Sequence, residues 1–153
     1  MKHWLVKTEP EVFSFEDLLK AGTSGWDGVR NYQARNMLRD ELKKGDKVLV
    51  YHSNAEPPAV VGLAVVAREG YPDPTQFDAK HDHYDAGAEK QAPRWFQVDL
   101  KAVKKLKRPV SLNEIKADPA FAGMKLVQKG MRLSVQPVSP EHYQRVVKLG
   151  SGK

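Results

Sequence analysis

The opening run KHWLVK sets Trp4, Leu5 and Val6 among polar neighbours and stops at Glu9-Pro10, which predicts a strand closed by a proline. A short helix is expected next, with Ser14 as N-cap, Asp17 three residues on, Leu18 and Leu19 facing inward and Gly22 as the stop. Asn31 is placed to cap a second helix, in which Ala34, Met37, Leu38 and Leu42 recur at helical spacing up to Gly45. From Asp46 the period changes. KVLVYH and AVVGLAVVA are β-branched runs around a turn with two prolines, and Gly62 inside the second marks a bulge or bend.

Residues 69–93 are polar and rich in Asp, His, Pro and Gly, so they form either a surface excursion or a lid. RWFQVDL and KAVKKL then read as one long strand or two joined by a bend, with Pro109 ending it. Ser111 with Glu114 predicts a capped short helix stopped by Pro119, and RLSVQP a last strand stopped by Pro137. Ser139, Pro140 and Glu141 open a final helix whose Tyr143, Val146, Val147 and Leu149 face inward, with Gly150 as its stop. About six strands interleaved with four short helices, without a βαβ rhythm, give a mixed α+β domain around a curled sheet or small barrel. One domain over residues 1–149 is expected, with residues 150–153 as a frayed tail.

Composition narrows the class. The chain has 153 residues and 41% hydrophobic content, enough for one core and too little for two ordinary domains. Cysteine is absent, which excludes disulfides, thiolate metal sites and a cysteine nucleophile. The N-terminal apolar run is too short for a signal peptide, and nothing approaches the roughly 20 apolar residues that span a bilayer. A soluble intracellular protein is expected, cytoplasmic and open to association with the nucleoid, or nuclear in a eukaryotic cell. Its 25 Lys and Arg against 19 Asp and Glu give a net charge of +6, which favours polyanionic partners. The charge gathers in KAVKKLKR, which contains Lys104 and Lys105, and returns at Lys125, Lys129 and Arg132.

The densest chemistry lies in Trp26 to Asn36, WDGVRNYQARN. An aromatic face for a base, a guanidinium fork in Arg30 for phosphate, and backbone N–H groups at a helix start converge there on a nucleotide-like ligand. Three strand ends add groups suited to a base edge: Lys7-Thr8-Glu9, His52-Ser53-Asn54, and Ser134 with Gln136. The bland alternatives are that Trp26 is core, that Asp27 and Asn31 only cap, that Gly28 only supplies positive φ, and that Tyr32 packs beneath its helix. Enzyme signatures are missing: GxSxG, HExxH, GxGxxG and GxxxxGK[ST] do not occur. His52 beside Ser53 is a poor nucleophile and base pair, because neighbours on a strand face opposite ways. HDHYD, residues 81–85, offers His at i and i+2 with no distant third ligand, so neither a metal nor another cofactor is expected.

MKHWLVKTEP, WDGVRNYQARN, YHSN, YPDPTQFD, PRWFQVDL, KRPVSL and RLSVQP, in this order, resemble the EVE domain, over nearly the whole chain. That family belongs to the PUA-like superfamily with the YTH and ASCH domains. The resemblance implies a PUA-like β pseudo-barrel flanked by helices, and a non-enzymatic reader of nucleic acid. Its pocket would accept a flipped modified base, methylated or oxidised cytosine in DNA or methylated adenine in RNA. It also implies that Trp26, Asn31 and Tyr32 line the pocket, with Lys7 and Arg30 near phosphate and His52, Ser53, Asn54, Ser134 and Gln136 completing the rim. Tyr32, Tyr51 and Trp95 are candidates for a second aromatic wall. The competing readings are an enzyme acting on a nucleotide or small anion, with Asp27, Glu9 or His52 as general base, and an accessory domain that binds another protein.

Overall fold

The computed structural model describes residues 1–152. Its elements are β1 (His3–Thr8), α1 (Phe15–Ala21), β2 (Thr23–Gly25), α2 (Tyr32–Asn36), β3 (Lys47–His52), β4 (Ala59–Pro72), β5 (Phe96–Ser111), α3 (Leu112–Ala117), β6 (Val135–Val138) and α4 (Pro140–Gly150). The strands form one mixed sheet in the order β2-β5-β4-β3-β1-β6. Among the described residues only β1 and β3 pair in parallel, and the chain between them supplies the crossover through α1, β2 and α2. The edge strands β2 and β6 do not pair with each other, so the expected pseudo-barrel is an open sheet.

The central strands carry apolar residues on both faces because each face is covered. Trp4 and Val6 of β1 and Val48 and Val50 of β3 point to one core, shared with Phe15, Leu18, Trp26, Leu38 and Val98. Leu5, Leu49 and Tyr51, at the alternate positions, point to a second core with Val110, Ile115, Phe121, Tyr143 and Val146. This two-sided burial explains a sequence that reads as continuous apolar runs rather than strict alternation.

Local signals set most boundaries. Ser14 and Asp17 complete a capping box on α1, and Gly22 at φ +77° closes it. Leu19, expected inward, is exposed, since α1 presents only Phe15 and Leu18 to the core. Gly62 does lie at a bulge, where the Phe15 ring packs so close that a Cβ has no room. The helix after Asn31 continues from α2 into a π-helical turn, Met37–Glu41. Pro109 does not end β5. The register steps from Val60↔Val110 to Gly62↔Lys105, so Pro109 sits in a bulged stretch opposite no partner and its missing N–H costs no ladder bond. Pro137 likewise lies within β6, on the edge of the sheet. α4 includes Gly150, expected as its stop, with Ser151 as its C-cap; of the expected tail, Lys153 lies outside the described residues.

Candidate functional site

A cavity of about 780 Å³ opens where the end of β1, the turn before α1, the loop after β2 and the start of β6 meet. Trp26 and Phe13 form its aromatic part, their rings 5.9 Å apart between centroids and inclined at 78°. Lys7, Thr8, Glu9 and Ser134 line it beside the ends of β1 and β6, and His81, Asp82 and His83 line it as well. Trp26 is only 7% exposed and belongs to the core as well as to the cavity lining. Its amide donates to Val98 O at 2.8 Å, which anchors the loop to β5.

Lys7 is half-buried, and desolvation pushes its ammonium below the usual lysine range. Its Nζ lies 5.9 Å from the centre of the Tyr51 ring, and the residue lines the cavity wall. The Lys7 amide donates to Ser134 O at 2.9 Å, which joins the ends of β1 and β6 and sets these two residues side by side. Asn54 donates to Glu9 Oε1 at 2.7 Å and holds that carboxylate at the rim.

The loop from Trp26 to Arg30 is shaped by Asp73. This buried carboxylate accepts from the Gly28 amide at 2.8 Å, from Arg30 Nη1 at 3.0 Å, and from the amide and hydroxyl of Thr75 at 2.8 and 2.6 Å. Burial alone would raise its pKa, but the bonds from Thr75, Gly28 and Arg30 together hold the carboxyl below the ordinary range. Gly28 has φ +80°, and a Cβ there would run into the His83 ring.

Arg30, expected near phosphate, is instead fully engaged within the protein. Its guanidinium donates to His83 O at 3.2 and 2.6 Å, Val29 O at 3.1 Å, Asp73 at 3.0 Å and Thr75 Oγ1 at 3.1 Å, which uses the five N–H groups an arginine has. It lines the cavity with its donors already spent, and its work is to tie the 73–83 segment to the Trp26 loop.

Of the expected residues, Lys7, Trp26, Arg30 and Ser134 come together at the cavity, with Thr8 and Glu9 of the first strand end and the candidate base Asp27. The others lie apart from its lining. Asn31 accepts from the Ala34 amide and caps α2, and Tyr32 is exposed against Trp95, with centroids 5.0 Å apart. His52 is buried under α1, where its Nε2 accepts from the Phe15 amide and burial pushes its pKa down. Ser53 donates its amide to Thr8 O, Asn54 is held by Glu9, and the buried Gln136 donates to Leu133 O. Tyr51 belongs to the second core and Trp95 donates to Asp85, and neither lines the cavity. The second aromatic ring in the lining is that of Phe13, missed because it falls in a turn without periodicity. Lys104, Lys105, Lys129 and Arg132 are exposed, and Lys105 pairs with Glu16 at 2.6 Å. The expectation that the two histidines of HDHYD lack a distant companion also changes, since Asp27 stands beside them.

The sequence profile of the EVE domain matches residues 2–149. The chain belongs to the EVE domain family. Chicken (Gallus gallus) thymocyte nuclear protein 1 is 41% identical over 169 residues, covering 99% of this chain and 69% of that protein. Among solved structures, a hypothetical protein from Leishmania major superposes with a TM-score of 0.94 at 42% identity, covering 99% of this chain and 96% of the other. The human THYN1 protein, solved in complex with DNA containing 5-methylcytosine, superposes with a TM-score of 0.91 at 39% identity, over 100% and 99% of the two chains. Among the described residues no helix is long and apolar enough to cross a membrane.

Proposed function

We propose that this EVE domain binds nucleic acid without turnover and reads a modified base, 5-methylcytosine in DNA, turned out of the duplex into the cavity between Phe13, Trp26, Lys7 and Ser134. The observation that carries this reading is the human THYN1 complex with 5-methylcytosine DNA, a protein alike over the full length of this chain. The cavity supports it on physical grounds. Its volume of about 780 Å³ falls in the range of small-ligand sites, about 300–1,000 Å³. A flat base gains from stacking on an indole, about 1–3 kcal/mol, and Phe13 set nearly perpendicular gives a second apolar surface to meet a methyl group. Lys7 and the Ser134 hydroxyl offer donors at one end, where a base edge or its phosphate takes them.

Titration of matched duplexes with cytosine or 5-methylcytosine by fluorescence anisotropy, at fixed salt, tests the proposal. Burying one methyl is worth about 0.8 kcal/mol, so a preference of about fourfold for the methylated duplex is expected. Trp26→Ala should remove most binding to both duplexes, whereas Phe13→Ala should mainly flatten the preference. No binding at low salt, or equal binding with Phe13 intact, would sink the reading. A purified Asp27→Asn variant that binds as the parent does would separate base reading from acid–base chemistry at the cavity.

A further inference from the structure

Asp27, His81 and His83 come from two loops 54 or more positions apart in the chain and meet on one wall of the cavity. One ligand atom from each lies within 4.8 Å of the others. The placement is built into the loops. Arg30 grips the His83 carbonyl with two hydrogen bonds, the missing Cβ of Gly28 makes room for the His83 ring, and the two imidazoles lie 4.8 Å apart between centroids at 44°. His83 Nδ1 is shielded from solvent without a hydrogen-bond partner, and none of the ion pairs among the described residues involves Asp27. A shielded ring nitrogen without a partner, beside a second imidazole and a carboxylate, is a donor set that a metal ion would satisfy.

We propose that Asp27, His81 and His83 form a site for a divalent transition-metal ion of the zinc class, with an open coordination position toward the cavity. Two imidazoles and one carboxylate suit zinc, copper, nickel or iron(II) in preference to magnesium or calcium, which take all-oxygen sets. Ligand atoms about 2.0–2.2 Å from one ion stand at most about 4.4 Å apart, so small side-chain rotations bring the set into coordination. One local bond is exchanged in the process: His81 Nδ1 accepts the His83 amide at 3.0 Å, and a metal held at that nitrogen replaces it. The ion would pin residues 81–83 to the loop at Asp27, leaving its fourth position to water or to an anionic ligand in the cavity. This site goes beyond base reading and does not rest on it.

The test uses the untagged full chain, stripped with a chelator and titrated with zinc by calorimetry, then loaded with cobalt(II) for visible spectroscopy. One zinc per chain, a raised Tm and the visible bands of tetrahedral cobalt are expected for the parent. The His81→Ala and His83→Ala variants should lose all three while their metal-free Tm stays near that of the metal-free parent. Asp27→Asn should weaken binding and shift the cobalt bands. If the alanine variants unfold, His81→Gln and His83→Asn carry the same readout, and the parent's cobalt spectrum stands independently. Absence of zinc uptake, or equal uptake by the double histidine variant, would overturn the site. DNA binding by the metal-free protein is measured separately, so failure of the metal site and failure of base reading are distinguishable.

Discussion

Gly28 meets two demands that no other residue type meets together. Its φ of +80° lies in the left-handed region, and the space where a Cβ would go is filled by the His83 ring. Gly123 isolates the first demand, since its φ is +85° but nothing lies within 4 Å of a Cβ built there. Gly123→Ala should therefore cost only the backbone strain, about 1–2 kcal/mol. Gly28→Ala adds the collision and should cost more, at about 2–3 kcal/mol in urea unfolding. In a double-mutant cycle, His83→Ala should recover the excess in the Gly28→Ala background, because it removes the ring that the new methyl strikes. An equal cost at the two glycines, with no recovery, would show that the ring yields freely and that Gly28 serves the turn alone.

At the scale of elements, two buried titratable groups hold pieces of the sheet's surroundings, and acid should release them in sequence. His52 accepts from the Phe15 amide at the start of α1, and burial lowers its pKa from the ordinary 6.5. Its stabilising share is complete above that value and is lost as pH falls below it, because the unfolded chain takes up the proton first. His3, lowered mainly by burial too, shares that window. Asp73, whose hydrogen bonds outweigh its burial and hold it below 3.8, keeps the Trp26 loop against residues 73–83. Its share is complete above 3.8 and disappears as pH falls through its lower folded value. Urea midpoints against pH should thus decline in two stages. The first should be shallower in His52→Asn, and the second should be shallower in Asp73→Asn without vanishing, since the buried Asp46, also held below 3.8 by hydrogen bonds, shares that window; unchanged slopes would assign the acid sensitivity elsewhere. The same elements show what the sequence could reveal. Capping residues Ser14, Asn31, Ser111 and Ser139 act within a few positions, and each starts the helix expected of it. Trp26, Lys7 and Ser134 are legible because a strand end or a loop beside a helix places them without long-range information. Asp73 and Phe13 are not, since their partners lie far along the chain or in an aperiodic turn. Arg30 reads as free in the sequence because nothing local says that Asp73, Thr75 and His83 will use its donors.

Across the whole molecule, the net charge of +6 is not spread evenly in its effect on the cavity. Lys105 is paired with Glu16 and Arg108 with Glu114, at 2.6 and 2.8 Å, so part of the basic run on β5 is locally neutralised. Exposed surface pairs bind weakly, yet each must be given up before a phosphate takes its place. Lys129 and Arg132 are exposed, belong to none of the ion pairs among the described residues, and precede Ser134 on the cavity wall by a few residues. On the base-reading proposal, the strand that delivers a base into the cavity lays its phosphates nearby, and we propose Lys129 and Arg132 as their partners. The logarithm of the binding constant should then fall with the logarithm of salt less steeply in Lys129→Ala/Arg132→Ala, by about 0.9 for each phosphate that the variant leaves unneutralised. Because phosphates carry no sequence information, affinity should drop equally for methylated and unmethylated duplexes and leave their ratio untouched. Lys105→Ala should change the slope far less. A slope unchanged by the double variant but reduced by Lys105→Ala would move the backbone path to β5, and with it the side from which the duplex approaches the cavity.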